Sequence, residues 1–217
     1  MRKDKIGIFL IVALLVYSAV MLASCAQRKI KNIDAKGSNI ICFGDSLTFG
    51  YGADPGEDFP AVLAKMTDIP VINAGVDGDT STEALQRLES DVLERDPLLV
   101  IVEFGGNDFL RKIPRETSVA NMKEIIDRIQ ARGAMVAIAD VSAAVFLKEY
   151  SAAFSEIARE KQAIFIPHIL SGIITNPALK SDFIHPNADG YKAIAQRIYR
   201  VILPYLNQNK LSREFQK

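Results

Sequence analysis

One serine, one histidine and one aspartate in this chain have the types and settings needed for acyl transfer. The run Asn39-Ile-Ile-Cys-Phe-Gly-Asp-Ser-Leu-Thr-Phe-Gly50 carries an apolar strand into Gly44-Asp45-Ser46. A glycine-flanked turn at a strand end lifts a serine hydroxyl clear of the sheet. That hydroxyl becomes a useful nucleophile when a base within hydrogen-bond reach takes its proton. Of the two histidines in the chain, His185 precedes Pro186, which holds it extended ahead of the last helical pattern. Asp182, three residues earlier, is placed to accept the Nδ1 proton and fix the tautomer. His168 follows the last apolar strand, where packing or a pocket wall is the expected role. The expectation is Ser46 as nucleophile, His185 as base and Asp182 as its orienting partner.

Acyl transfer also needs donors aimed at the developing oxyanion. The Ser46 backbone N–H is one. Asn107 follows Gly105-Gly106, which let the backbone crowd close, and its side-chain amide is a second. Gly78 precedes Asp79-Thr80-Ser81, a helix-start pattern, so its N–H is a third, with the helix dipole behind it. Gly75 is the alternative donor, although the turn after the second strand claims it first. Asp45 and Asp108 are expected to brace these loops through hydrogen bonds.

These residues must be positioned by the elements around them. Apolar strands at Asn39–Phe43, Val71–Ala74, Leu98–Phe104, Ala134–Ala139 and Ala163–Pro167 alternate with helical patterns. The helical patterns fall at Asp58–Thr67, Thr80–Glu94, Glu116–Arg132, Phe146–Lys161 and Ala188–Leu206. The strands are continuous apolar runs, as expected where helices cover both faces of a parallel sheet. Five βα units predict an α/β fold, a doubly wound, flavodoxin-like parallel sheet. Right-handed crossovers gather the carboxyl ends of all five strands at one edge, where ligands bind in such folds. The loops after strands one, two and three carry Ser46, Gly78 and Asn107.

Composition sets the bounds. The chain has 217 residues, 49% hydrophobic, enough for one substantial core. Lys plus Arg and Asp plus Glu number 26 each, which gives no electrostatic footprint for nucleic acid. There is no Gly-x-x-x-x-Gly-Lys phosphate loop and no Gly-x-Gly-x-x-Gly after a strand. Two scattered histidines and one spare cysteine do not make a zinc site, so no metal and no cofactor are expected.

The first 25 residues differ from the rest. Arg2, Lys3 and Lys5 open the chain, Ile6 to Val20 is almost wholly apolar, and Leu22-Ala23-Ser24-Cys25 closes the segment. That layout is a secretory leader, and its ending resembles the bacterial lipobox, whose cysteine is lipidated. An uncleaved anchor and a plain cleaved signal are the alternatives. The expected organisation is a signal peptide over 1–24, Cys25 as the lipid-bearing mature N-terminus, a tether over 25–38, a catalytic domain over 39–206 and a polar tail over 207–217. Either membrane-attached version puts the domain in the cell envelope, outside the cytoplasm.

Gly44-Asp45-Ser46-Leu47, the glycine loop at 75–80, Gly105-Gly106-Asn107-Asp108 and Asp182-Phe-Ile-His185-Pro-Asn occur in fixed order. This set resembles the SGNH (GDSL-type) hydrolases, and most of all their bacterial thioesterase/lysophospholipase/arylesterase branch, given Asn73-Ala74 and Gly78-Asp79-Thr80-Ser81. The resemblance implies Ser46 as nucleophile, an oxyanion hole of Ser46, Gly78 and Asn107, and His185 with Asp182 as base and partner. Glu83-Ala84 departs from that branch, which often has a glycine there, and apolar Val141-Ser-Ala-Ala-Val145 is expected to line part of the pocket. The expected activity is hydrolysis of carboxylic esters or thioesters, with small acyl or lipid esters as substrates. The alternatives are a carbohydrate O-deacetylase and a lipoprotein that uses the fold as a binding module.

Overall fold

A computed structural model describes residues 29–142 and 147–214. The leader 1–24, Cys25 and most of the expected pocket segment at Val141–Val145 therefore lie outside the described residues. Five strands, β1 (Asn39–Gly44), β2 (Val71–Gly75), β3 (Pro97–Glu103), β4 (Met135–Ala139) and β5 (Ile164–Ile166), form one sheet in the order β2-β1-β3-β4-β5. All four pairings are parallel. This is the doubly wound order whose direction reverses between β1 and β3, and the crevice of such sheets lies at that switch point.

The helices in chain order are α1 (Ser46–Phe49), α2 (Phe59–Ala64), α3 (Ser81–Leu88), α4 (Gly106–Leu110), α5 (Arg115–Ala131), α6 (Lys148–Glu160) and α7 (Ala188–Glu214). A π-helical turn, Glu89–Leu93, extends α3. Successive strand residues point to opposite faces, so each strand feeds two cores. Ile40, Cys42, Leu99, Ile101 and Ala137 pack against Phe59 and Leu63 of α2 and Tyr191, Ile194 and Ile198 of α7. Ile41, Phe43, Val100, Val102 and Val136 pack under Leu88 of α3, Ile125 and Ile129 of α5 and Phe154 of α6. The thiol of Cys42 is fully buried, which pushes its pKa up and suits an inert packing role.

Two expected boundaries need correction. The stretch 30–38 is not a tether: Ile30 and Ala35 are buried in the core, and the Asn32 amide donates to Gln130 O and Ala134 O at 2.8 and 2.9 Å. Two apolar side chains with hydrogen-bonded neighbours are enough to draw a polar stretch onto the domain. The tail 207–217 is likewise helical through Glu214. Asn209 is buried there and donates to Ile33 O and Ala35 O, both at 2.9 Å. The two terminal segments hold each other.

Candidate active site

The turn after β1 is built around a close approach. A Cβ on Gly44 would sit 2.1 Å from Thr48 Oγ1 and 2.6 Å from Glu103 Oε2, so no side chain fits there. Asp45 caps α1 by accepting from Leu47 N–H at 3.1 Å, and Ser46 opens the helix with its hydroxyl at the sheet edge. His185 Nε2 lies 3.1 Å from Ser46 Oγ, and His185 Nδ1 lies 2.7 Å from Asp182 Oδ2. The serine and the carboxylate thus meet opposite nitrogens of one imidazole. Asp182 Oδ1 also accepts the N–H groups of Ile184 and His185, both at 2.8 Å. Burial alone would raise this carboxyl, but the hydrogen bonds from His185 and Ile184 outweigh it and hold it at about 2. The Tyr51 ring packs on His185 with centroids 4.5 Å apart, and Tyr191 on α7 holds the Tyr51 carbonyl at 2.8 Å.

The loops after β2 and β3 bring up the donors. Gly78 has φ +80, a left-handed conformation that favours glycine, and its N–H, like that of Ser46, has no partner among the described residues. Gly75 N–H is already given to Asn73 Oδ1 at 2.9 Å, which removes it as an alternative donor. Asn107 Nδ2 donates to Asp45 Oδ2 at 3.1 Å and to Asp79 O at 3.0 Å. Its amide is fixed in orientation, and an oxyanion would share one of those hydrogens. Asp108 accepts from Ser81 N–H, Ser81 Oγ and Ser118 Oγ, which ties the β3 loop to α3 and α5. Glu83 completes a capping box with Thr80, a physical reason for the departure from glycine in that helix. Arg111 joins Glu83 at 3.1 Å to Gly78 O at 2.7 Å.

Two participants carried no recognised signal. Glu103 ends β3 fully buried under the Ser46 turn, where Oε2 accepts from Thr48 Oγ1 at 2.8 Å and Asp45 N–H at 3.3 Å, while Oε1 has no partner among the described residues. Burial, and then the neighbouring Asp45 charge, push its carboxyl well up; burial likewise lifts Asp45 to about 6. A lone acid at the end of the apolar run 98–104 was the available hint. Arg87 on α3 donates to Gly44 O at 2.9 Å, Ala74 O at 2.8 Å and Asp79 at 2.5 Å. An arginine on a helix face gives no such hint.

His168 is neither packed nor near Ser46 in the hydrogen-bond pattern. Its side chain is 61% exposed, and its Nδ1 sits 3.0 Å from Asp140 Oδ2 and 2.9 Å from Ser142 Oγ. The expected packing role is corrected to a hydrogen-bonded exposed ring, held at the end of β4 by Asp140 and Ser142.

A model of the GDSL-like lipase/acylhydrolase family matches residues 42–193, which spans the Ser46 turn, both donor loops and the His185 segment. The chain belongs to this family. An esterase, TesA, of Pseudomonas aeruginosa is 25% identical over 199 residues, covering 87% of this chain and 99% of that protein. The thioesterase 1/protease 1/lysophospholipase L1 of Escherichia coli is 29% identical over 183 residues, covering 81% of this chain and 88% of its own length. The structure of the psychrotrophic esterase EstA from Pseudoalteromonas sp., inhibited by monoethylphosphonate, superposes with a TM-score of 0.70 at 29% identity, covering 78% of this chain and 99% of that one. As a GDSL-like hydrolase the chain is an ester-hydrolysing enzyme. Among the described residues of this GDSL-like hydrolase, no group of His, Cys, Asp and Glu is disposed to hold a metal ion.

Proposed function

We propose that this GDSL-like hydrolase is a membrane-attached, extracytoplasmic serine esterase that cleaves carboxylic esters or thioesters through an acyl-enzyme on Ser46. The observation that carries the chemistry is the unbroken sequence of contacts from Ser46 Oγ to His185 Nε2 and from His185 Nδ1 to Asp182. His185 Nε2 takes the hydroxyl proton as Ser46 Oγ bonds to the acyl carbon. The Ser46 and Gly78 N–H groups and the Asn107 amide receive the oxyanion. Collapse of the tetrahedral intermediate breaks the bond to the alcohol or thiol, which leaves with the proton from His185. Water then gives a proton to His185 and its oxygen to the acyl carbon, and Ser46 recovers its proton as the acid departs.

Acyl esters of appreciable chain length fit the surroundings. Phe49, Tyr51, Val76, Phe109, Leu110, Phe183 and Ile184 are exposed on the short helices and loops that carry or flank the site, Phe183 at 85%. A rim this apolar marks a binding region rather than a solvated surface. The envelope location rests on the basic start, apolar run and Leu22-Ala23-Ser24-Cys25 ending, with Cys25 as the lipidated residue. That location also disfavours acyl-CoA, a cytoplasmic pool. The E. coli relative named as both thioesterase and lysophospholipase supports the substrate range. A fluorophosphonate probe should label the folded chain once, with the label lost in Ser46→Ala. Labelling that survives this substitution would sink the assignment.

A further inference from the structure

The segment 30–36 is pinned at the amino-terminal edge of the sheet, the edge opposite the site. Lys31 N–H donates to Gln162 O just before β5, and Asn32 reaches the carbonyls of Gln130 and Ala134 just before β4. Asn209 of α7 holds Ile33 O and Ala35 O. Helix α7 measures the separation. It begins at Ala188, beside His185, and runs to Glu214 past Asn209, so its start and Asn209 stand roughly 30 Å apart at ~1.5 Å per residue. The chain from Cys25 to Ile30 can span at most about 18 Å. A membrane attachment upstream of residue 29 is therefore held close to this base and cannot reach the Ser46 edge.

The charges agree with the lengths. Lys29, Lys31 and Lys36 are exposed on the entering segment, and Lys210 and Arg213 are exposed at the abutting end of α7. Arg95 and Arg132 are exposed at the same edge, and Asp34, Asp68, Glu94, Asp96 and Glu214 are the exposed acids there, which leaves the base modestly basic. None of Lys29, Lys31, Lys36, Lys210 and Arg213 forms an ion pair among the described residues. At the opposite edge the loops beside Ser46 expose Asp54, Glu57 and Asp77 together with Arg111 and Lys112, so that edge carries no excess of positive charge. Basic groups next to a membrane-attached segment favour an anionic lipid surface, and acidic ones are repelled by it.

We propose that the domain stands on an anionic bilayer by this basic base, with the Ser46 edge turned away, so that its substrates are acyl esters presented from the aqueous side. This rests on the membrane attachment proposed above. The full chain is reconstituted in vesicles containing an anionic phospholipid and an acceptor-labelled lipid. Donor dyes are placed at Gln208→Cys on the base or at Lys112→Cys on the catalytic edge, Cys42 being buried. Vesicle flotation, scored first, tests attachment, and failure to float removes the membrane reading and this inference with it. For floated protein, transfer from the base dye should be several-fold stronger than from the edge dye. Replacing the anionic lipid by a zwitterionic one should narrow that difference. Equal or reversed transfer would overturn the orientation alone, and would mean that the apolar rim dips into the bilayer.

Discussion

The carboxyl edge of the sheet carries two clusters of the same three residue types, Ser46–His185–Asp182 and Ser142–His168–Asp140. In the first, the serine and the carboxylate contact opposite ring nitrogens, at 3.1 and 2.7 Å. In the second, both contact Nδ1, at 2.9 and 3.0 Å, and Ser142 Oγ itself donates to Asp140 at 2.8 Å. Ser46 can give its proton to Nε2, which faces it, while the carboxylate at Nδ1 steadies the charge. Ser142 has no such path, because its hydrogen already belongs to the carboxylate. Asp140 also accepts from Ser151 Oγ at 2.8 Å and from two backbone N–H groups, so the second cluster is a brace for the ends of β4 and β5. Residue type and proximity do not make a catalytic set; the ring nitrogen each group meets does.

Removing each imidazole in turn separates the two clusters most directly. His185→Ala should lower kcat on a p-nitrophenyl ester by about 10⁴-fold or more, with an unchanged circular dichroism spectrum; retained turnover would show that the wrong histidine was chosen. A smaller effect tests the buried acids beneath Ser46. The Asp45 carboxyl lies at about 6 against an ordinary 3.8, so the folded state holds its proton longer than the unfolded chain does. Its contribution to stability is full below about pH 4 and is lost as pH rises through about 6. The stability of Asp45→Asn relative to the parent, from denaturant unfolding across pH 4 to 7, should rise through that window. A flat difference would place the proton elsewhere. The smallest effect is expected for His168→Ala, which should leave kcat and KM within the scatter of the parent enzyme. A loss comparable to that of His185→Ala would merge the two clusters into one machine.

The placement of the candidate site was legible because it is local in sequence. Gly44-Asp45-Ser46 follows a strand and Asp182-x-x-His185 precedes a helix, so a correct strand count is enough to bring them to one edge. The strands themselves read clearly because parallel strands covered on both faces are unbroken apolar runs. What stayed hidden depends on contacts between distant segments. Asn209 and the carbonyls of Ile33 and Ala35 lie more than 170 residues apart, and each looks like ordinary polar tail until the other is present. Glu103 presented one acid at a strand end, and its burial became visible only with Thr48 and Asp45 folded over it. His168 failed differently: its position after β5 was right, but exposure and the pull of Asp140 are properties of packing.

Arg87 has a mechanical consequence. One guanidinium grips the last carbonyl region of β1 at Gly44, that of β2 at Ala74, and the Asp79 carboxylate beside Gly78. The turn bearing the Ser46 N–H and the loop bearing the Gly78 N–H are therefore cross-linked through one side chain. In the proposed reaction, little reorganisation energy would remain to be spent when charge appears on the substrate oxygen, because both N–H dipoles were oriented during folding.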